Sequence, residues 1–216
     1  MISTLKELMN KSILALLVAS AMASQASASV VFADRTSWSA AVAVTNTVGY
    51  EGIARDDWFV ELPDNHLTIE GVTVKGQIGS LFVIGKDYAE SGGTFCLGTG
   101  ACLFTYGPSL DASVQVATNA FAFDLRGYFE GSTDFTVEFA DGESFSVTAA
   151  NPGGAFFGVA LDNAVSSFKI RTNSEFMEID NVAYGAAATV PEPTGLALVS
   201  LALAGLALSS RRRSAV

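Results

Sequence analysis

The residues that could form a catalytic centre are few in this chain of 216 residues. His66 is the single histidine and lies in the polar run Asp64-Asn65-His66, which is typical of a turn or the edge of a strand. Nucleophilic catalysis needs a base beside the nucleophile, and no Gly-x-Ser-x-Gly turn accompanies this histidine. No glycine-rich phosphate loop connects a strand to a helix. The sequence therefore predicts a protein that is not an enzyme.

The two cysteines, Cys96 and Cys102, enclose the stretch LGTGA. In an exported protein, an even number of cysteines at close spacing favours a disulfide. The two glycines let the chain reverse, so that the Cβ atoms can approach each other. Zinc is the alternative, but two thiols and the distant His66 are too few for a tetrahedral site. We expect a local disulfide that contributes about 2–3 kcal/mol.

Aromatic residues beside carboxylates form a second group that could do chemistry. Trp58 follows Asp56 and Asp57, and further aromatic residues lie in or near apparent loops at Tyr88, Tyr106 and Tyr128. Exposed aromatic faces stack on sugar rings, while neighbouring carboxylates and amides accept and donate hydrogen bonds. The alternative is that each ring packs into a core. Asp57 and Trp58 are the ligand contacts that the sequence predicts.

The charge of the chain excludes several classes of partner. Between Ser29 and Val190 there are seven basic and twenty acidic residues, so the net charge is −13. A nucleic acid needs a basic patch, and an anionic membrane surface needs one too, so neither is an expected partner. With so many acids, a pair at the carboxyl separation of a glycosidase, about 5–10 Å, would arise by chance. A secreted hydrolase is therefore the less favoured alternative.

One short helix is predicted near the start of the segment that follows residue 28. Asp34 can cap it, and the alanine-rich run from Thr36 to Val44 can form it. Trp38 and Val42 are four residues apart and share one face. We expect this helix to cover one end of a β-sandwich.

The remaining segments predict short strands separated by Gly, Asn and Asp. Hairpin turns are expected at Glu70-Gly71 and Asp141-Gly142. The predicted strands are Thr47–Glu51, Leu67–Ile69, Val72–Lys75, Ser80–Ile84, Leu103–Tyr106, Ser113–Val116, Ala120–Leu125, the two arms of the hairpin Phe135–Val147, Phe156–Ala160, Ser167–Arg171 and Met177–Tyr184. This set predicts an all-β, two-sheet antiparallel β-sandwich. We expect a jelly roll in preference to an immunoglobulin-type sandwich, because the strands are numerous and the cysteines are too close in sequence to bridge two sheets.

The N-terminal segment 1–28 has the three parts of a secretory signal peptide. Lys6 and Lys11 give a basic start, Ser12 to Met22 is an apolar core, and Ala26 and Ala28 are the small residues of a cleavage site. The apolar core is too short for a stable membrane span. An uncleaved N-terminal anchor is the alternative. The domain that remains is predicted at 29–188.

The C-terminal segment 189–213 has three parts in a fixed order. The proline-containing motif Pro191-Glu192-Pro193 is followed by an apolar helix over 195–210 and by Arg211, Arg212 and Arg213. The helix spans about 24 Å at 1.5 Å per residue, which is short of a hydrocarbon core of about 30 Å. The arginines hold the C-terminus on the cytoplasmic side.

This tail resembles the PEP-CTERM sorting signal of Gram-negative bacteria. The resemblance implies that an exosortase, a membrane protease-transpeptidase, is a partner and removes the helix near the motif. It also implies a role beside exopolysaccharide in a biofilm matrix. The expected route is export through the inner membrane, transient anchoring in it, and delivery to the cell surface or extracellular matrix. A permanent single-span anchor is the alternative.

The segment 29–188 is similar, more loosely, to the β-sandwich domains of PEP-CTERM proteins. The similarity lies in Ala155–Val159 and in the closing run Glu178–Gly185, whose Asp-Asn pair between apolar residues is typical of the last strand of jelly-roll carbohydrate-binding and lectin-like domains. In such domains a structural calcium ion links an early strand with the last one, and the matching residues are Glu51 and Asp180. The alternative, which the sequence favours, is that these acids are solvated or make hydrogen bonds in turns and caps. No other cofactor is expected.

These observations predict a non-catalytic, exported surface or matrix protein whose sandwich binds exopolysaccharide. A purely structural matrix protein with no small ligand is the alternative. An exposed cluster of aromatic side chains would count against that alternative.

Overall fold

The computed structural model describes residues 29–77, 79–90, 93–94, 96–97, 100–127 and 131–187. In this part of the chain the fold is all-β, with one α-helix and antiparallel pairing between all the named strands. The predicted all-β, antiparallel fold is therefore confirmed. The predicted signal peptide, the sorting tail with its helix, and Tyr128 lie outside the described residues. Within those residues, no helix combines the length and apolarity that crossing a membrane requires.

The described residues form one α-helix, one 3-10 turn and fourteen β-strands. The helix is α1 (Arg35–Ala41), and a 3-10 turn covers Pro63–Asn65. The strands are β1 (Val30–Phe32), β2 (Val42–Thr47), β3 (Phe59–Glu61), β4 (His66–Ile69), β5 (Val72–Gly76), β6 (Leu81–Ile84), β7 (Ala89–Glu90), β8 (Gly93–Thr94), β9 (Cys102–Tyr106), β10 (Ser109–Arg126), β11 (Gly131–Phe139), β12 (Ser144–Asn151), β13 (Ala155–Thr172) and β14 (Phe176–Ala187).

Two long strands, β10 and β13, give the main sheet two layers. The second part of β10 pairs with the first part of β13 and with β14, next to β1, β2, β9, β6 and β3; we name this set the front layer. The first part of β10 and the second part of β13 pair with β5 and β11, next to β4 and β12; this set is the back layer. Register shifts between Ser113 and Ala120 mark where β10 passes from one layer to the other.

Stacked phenylalanine rings fill the space between the layers. Phe123 of the front layer stacks on Phe168 of the back layer, with ring centroids 5.4 Å apart. Phe123 also stacks on Phe157 at 5.1 Å, and Phe121 contacts Phe139 of β11 at 5.4 Å. Side chains at alternate positions of both layers thus meet in one core, as in a β-sandwich.

Helix α1 begins where Asp34 was expected to cap it. The Asp34 carboxylate accepts a hydrogen bond from the Ser37 amide at 2.8 Å, and this bond lowers the pKa of Asp34. Trp38 is buried on the outer side of the front layer against Ala120, Ala122 and Ala183. Its indole NH donates to a main-chain carbonyl of β13. The helix therefore covers the outer face of the front layer, whereas the sequence predicted that it would cover one end of the sandwich.

The end of this helix was predicted wrongly. The run from Val42 to Val44 belongs to β2 and pairs with Gly185–Ala187 of β14. β-branched residues favour this extended conformation, and the open edge of β14 supplies main-chain partners. The predicted strand Thr47–Glu51 is likewise displaced, because the strand ends at Thr47 and Glu51 makes only an isolated bridge to Ala54.

Both predicted hairpins are confirmed. Glu70 and Gly71 both have positive φ, 48° and 80°, and join β4 to β5 in the two-residue turn expected for this pair. Gly142, with φ of 94°, lies in the turn between β11 and β12. Local turn chemistry therefore fixes the register of these two hairpins.

Four predicted strands prove to be parts of two. Ser113–Val116 and Ala120–Leu125 both lie in β10, and Phe156–Ala160 and Ser167–Arg171 both lie in β13. The polar stretch near Asn119 resembles a loop in sequence. In the structure the Asn119 amide donates to the carbonyl of Leu161 at 3.2 Å and its oxygen accepts from the Ala187 amide at 2.9 Å, so it joins three strands at the register shift.

Candidate functional site: an aromatic surface on the front layer

The candidate site lies on the outer side of the front layer, where β3, β6, β9 and the start of β14 lie side by side. Successive side chains of a strand point to opposite faces. In β6 and β9, Leu81, Val83 and Leu103 point into the core. The other set, which includes Phe82 and Phe104, is therefore directed outward, although it is also apolar.

Seven aromatic side chains form a continuous group, which we name the aromatic surface: Trp58, Phe59, Phe82, Tyr88, Phe104, Tyr106 and Phe176. Neighbouring ring centroids are 4.8 to 6.2 Å apart, which is the spacing of stacked and edge-to-face pairs. Trp58 is 56% exposed and Tyr106 is 48% exposed. The surface runs from the loop before β3 across the strands to β14.

Main-chain hydrogen bonds hold Trp58 in place. Its amide donates to the Arg55 carbonyl at 3.0 Å, and its carbonyl accepts from the Gly85 amide at 2.8 Å. A Cβ atom on Gly85 would lie 2.0 Å from the Arg55 carbonyl oxygen and 2.5 Å from that of Asp56. Since these are main-chain atoms, they cannot move aside cheaply. The close approach at Gly85 therefore sets the position of the Trp58 loop.

A groove of about 370 Å³ begins where the aromatic surface ends. Tyr106 and Phe176 form one side of it, and Asn173, Ser174 and Glu175 supply an amide, a hydroxyl and a carboxylate. Aromatic rings and polar groups thus lie side by side at this end. Such a combination suits a ligand with both C–H faces and hydroxyls.

The disulfide lies beneath the aromatic surface. Cys96 and Cys102 are joined with Cα atoms 5.4 Å apart. Both are buried, in a cluster with Ile84 and Phe104 against which Phe59, Phe82, Tyr88 and Phe176 pack. The covalent link therefore ties the segment that precedes β9 to the strands that carry the rings.

A buried carboxyl group lies beside this cluster. Glu178 is 2% exposed; its Oε1 accepts a hydrogen bond from the Leu97 amide at 2.6 Å, and its Oε2 contacts the Arg126 guanidinium. Burial raises the pKa of Glu178 to about 8, although Arg126 and the Leu97 amide oppose this shift. Both oxygens are held by the protein itself, so Glu178 connects the disulfide loop to the sheet.

The two predicted calcium ligands lie in different surroundings. Glu51 is exposed, and its carboxylate lies so close to Gly100 that a Cβ atom there would be 2.0 Å from it. Asp180 is buried, and its Oδ1 accepts from the Asn181 amide at 2.6 Å. Burial, together with the charge of Asp180, raises the pKa of the Tyr50 hydroxyl. Among the described residues, no group of three or more His, Cys, Asp or Glu side chains could hold an ion, so calcium stays a prediction on Glu51 and Asp180.

The other predicted site residues are distributed as follows. Trp58 and Tyr106 are the most exposed members of the aromatic surface, and Tyr88 packs edge to face on both Trp58 and Phe59. Asp57 is exposed beside them and forms a bidentate ion pair with Arg55. His66 begins β4, away from these rings, on a strand that pairs with β5.

Sequence reasoning missed the phenylalanines of the aromatic surface and the groove at 173–176. The available signal was the composition of β6 and β9, LFVI and CLFTY, which is apolar on both faces. In a strand with only one face in the core, apolar residues would alternate with polar ones. β6 and β9 are neighbours in the sheet and both lack that alternation, which indicates that their outer face is not simply solvated.

The chain matches no protein-family model and no curated protein. Among solved structures it is similar to the Clostridium thermocellum xylanase 10B CBM22-1-GH10 modules complexed with xylohexaose, at 9% identity and a TM-score of 0.38, over 67% of this chain and 29% of that one. It is also similar to a family 29 carbohydrate-binding module mutant complexed with cellulohexaose, at 14% identity and a TM-score of 0.30, over 62% and 96%. TM-scores this low do not define a shared fold, so the ligands of those proteins say nothing about this chain.

Proposed function

We propose that this chain is a non-catalytic, exported surface or extracellular-matrix protein that binds exopolysaccharide through the aromatic surface. The observation that carries the proposal is the exposure of Trp58 and Tyr106 within a continuous row of rings. The C–H faces of a pyranose ring stack on such rings and release water from both surfaces. The jelly-roll connectivity expected from the sequence is part of the same proposal.

The polar groups at the groove support a sugar ligand over a purely apolar one. The oxygen of Asn173 accepts from the Asp134 amide at 3.1 Å, and its NH2 group is a donor that a sugar hydroxyl could accept from. The Glu175 carboxylate lies in the same groove wall. A hydroxyl-rich ligand would satisfy both groups, whereas an apolar partner would bury them at a cost.

The route to the surface is proposed from the sequence. A signal peptide at 1–28 would export the chain, and an exosortase would process the tail at 189–213. The intact mass of the extracellular protein tests this route, since it fixes both cleavage points. A mass that includes the apolar helix would contradict processing and favour the permanent anchor.

Glu178 is the observation that favours a hydrolase as a second candidate function. Its carboxyl group is desolvated and has a raised pKa, which is a feature of general acids. The Glu178 carboxylate contacts Arg126 and accepts from the Leu97 amide, and these contacts explain its burial as that of a group that links the disulfide loop to the sheet. We therefore assign Glu178 a structural role. Release of reducing sugar from a bound polysaccharide, lost in Glu178→Gln, would overturn this assignment.

Retention of the purified domain on insoluble polysaccharides tests the binding proposal. Neutral glucans and the exopolysaccharide of the producing cells are the probes. We expect retention on at least one, lost when Trp58 and Tyr106 are both replaced by alanine. No retention on any of them would favour a purely structural matrix protein.

A further inference from the structure

The outer side of the back layer carries two cross-strand rows of polar side chains. His66, Lys75, Asp111, Lys169 and Glu138 lie opposite one another, in that order, across β4, β5, β10, β13 and β11. Their neighbours along each strand, such as Leu67, Val74, Leu110 and Phe168, belong to the core. Since side chains alternate, the row of charged residues points outward.

A second row, two residues away, consists of small hydroxyl side chains. Thr68, Thr73, Ser113 and Ser167 are opposite one another in β4, β5, β10 and β13. Small side chains beside longer charged ones leave a depression, and a groove of about 680 Å³ lies here. We name it the hydroxyl trough. It crosses four strands, or about 14 Å at 4.8 Å per strand.

The charge beside the hydroxyl trough differs from that of the domain. The groove is lined by two lysines, Lys75 and Lys169, and by two carboxylates, Asp111 and Glu138, and Arg171 beside Glu138 adds a third cation. Asp111 is already bound by Lys169 at 3.2 Å and by the Gln77 amide. Arg171 is bound by Glu138 at 3.2 Å. Lys75 is exposed and has no ion pair within the described part of the chain.

We propose that the hydroxyl trough is a second carbohydrate site, specific for a carboxylated polysaccharide such as a uronic acid polymer. The Lys75 ammonium donates to a sugar carboxylate, and the hydroxyls of Thr73 and Ser113 bond to ring hydroxyls beside it. A neutral polymer would leave the Lys75 ammonium, which has no ion pair among the described residues, without a counter-charge, which is why an acidic polymer is favoured.

The net charge of −13 does not prevent this binding. Charges more than about 8 Å away are largely screened at physiological ionic strength. The two carboxylates that line the trough, Asp111 and Glu138, are paired with Lys169 and Arg171, so the exposed Lys75 decides the local attraction. The site is independent of the aromatic surface, because it lies on the other layer. Two polymers bound on opposite faces of one domain would be linked through it.

Affinity electrophoresis in gels with polygalacturonate or a neutral glucan tests the proposal. We expect polygalacturonate to retard the domain, less so as salt rises. Lys75→Gln should weaken this binding about fivefold, since one exposed ion pair is lost. Ser113→Leu, which fills the trough, should weaken it as well. Lys86→Gln is the matched control, because Lys86 lies beside the aromatic surface and pairs with Asp56.

This experiment tests the trough and the aromatic surface separately. Trp58→Ala should leave binding to polygalacturonate unchanged, whether or not it alters binding to the neutral glucan. Wild-type domain that polygalacturonate does not retard would overturn the trough proposal. So would equal retardation of Lys75→Gln and Lys86→Gln when both variants keep the wild-type circular dichroism spectrum.

Discussion

The rings of Tyr106 and Phe176 meet edge to face, with centroids 4.8 Å apart and an interplanar angle of 72°. Tyr106 ends β9 and Phe176 begins β14, and these two residues are directly paired. Antiparallel pairing of the strands therefore brings the rings together at the border of the groove. This contact makes the exposed face of Tyr106 part of the continuous aromatic surface.

Gly85→Ala should impair ligand binding although residue 85 carries no ring. The added methyl group would clash with the main-chain carbonyls of Arg55 and Asp56, so the loop that carries Trp58 must move. We expect altered tryptophan fluorescence and weaker retention on polysaccharide. Gly142→Ala is the control, since a Cβ there meets no atom within 4 Å and its strain stays in a distant turn. Unchanged fluorescence and retention in Gly85→Ala would contradict this account of how Trp58 is positioned.

Reduction of the disulfide should lower the free energy of unfolding by about 2–3 kcal/mol, because the open chain regains the entropy that the small loop denies it. Urea denaturation with and without a thiol reductant measures the difference. The double variant Cys96→Ala and Cys102→Ala provides the control, since its stability should not respond to the reductant. A wild-type transition that is identical under both conditions would show that the link contributes nothing.

The buried Glu178 should make stability fall as pH rises. Its folded-state pKa is raised to about 8 from the ordinary value of 4.5, so the folded state binds the proton more tightly than the unfolded state. The favourable contribution is complete below pH 4.5 and is lost on the way to pH 8, at up to about 1.4 kcal/mol per pH unit. Urea unfolding of Glu178→Gln across this window should show a flatter profile than wild type.

Glu175→Gln is the matched control for that comparison, because Glu175 is exposed. Its profile should follow that of the wild type. If the Glu178→Gln profile is equally steep, the carboxyl group is not the source of the dependence.

Phe123→Ala should be among the most damaging substitutions in the core. Phe123 is fully buried and stacks on Phe157 and Phe168, and the contact with Phe168 joins the two layers. Loss of a buried phenylalanine costs about 3–5 kcal/mol, in part because a cavity remains. The midpoint of urea unfolding measures it. Phe145→Ala, at a partly buried ring on β12, should cost clearly less, and equal losses would count against this description of the core.

Local chemistry explains which parts of the fold could be predicted. The Glu70-Gly71 turn, the Asp34 cap and the buried face of Trp38 depend on residues close together in sequence. The continuation of β10 through the register shift near Asn119 was not predicted. There the Asn119 side chain donates to the Leu161 carbonyl and accepts from the Ala187 amide, in place of main-chain pairing. No local pattern reveals bonds to residues so far along the chain.

Only part of the candidate site was predicted, because its other residues are brought together by contacts between distant segments. Trp58 and Tyr106 were recognised from their residue type and their position near loops. Their membership of one surface depends on the strand order β3, β6, β9 and β14. This order places Phe82 in contact with Phe59 and Tyr106, and it places Phe176 against Tyr106. Strand order of this kind depends on the whole fold, so a single sequence does not contain it in readable form.

Titration of the purified domain with its polysaccharide, comparing wild type with Trp58→Ala and Tyr106→Ala, tests the central claim most directly. We expect each substitution to weaken binding about tenfold, or about 1.4 kcal/mol, since each removes one stacking face. Both rings are exposed, so the unfolding free energy should change little. Val116→Ala, at an exposed side chain outside the aromatic surface, should bind as wild type does. Equal binding by all four proteins would contradict the claim that the aromatic surface is the carbohydrate site.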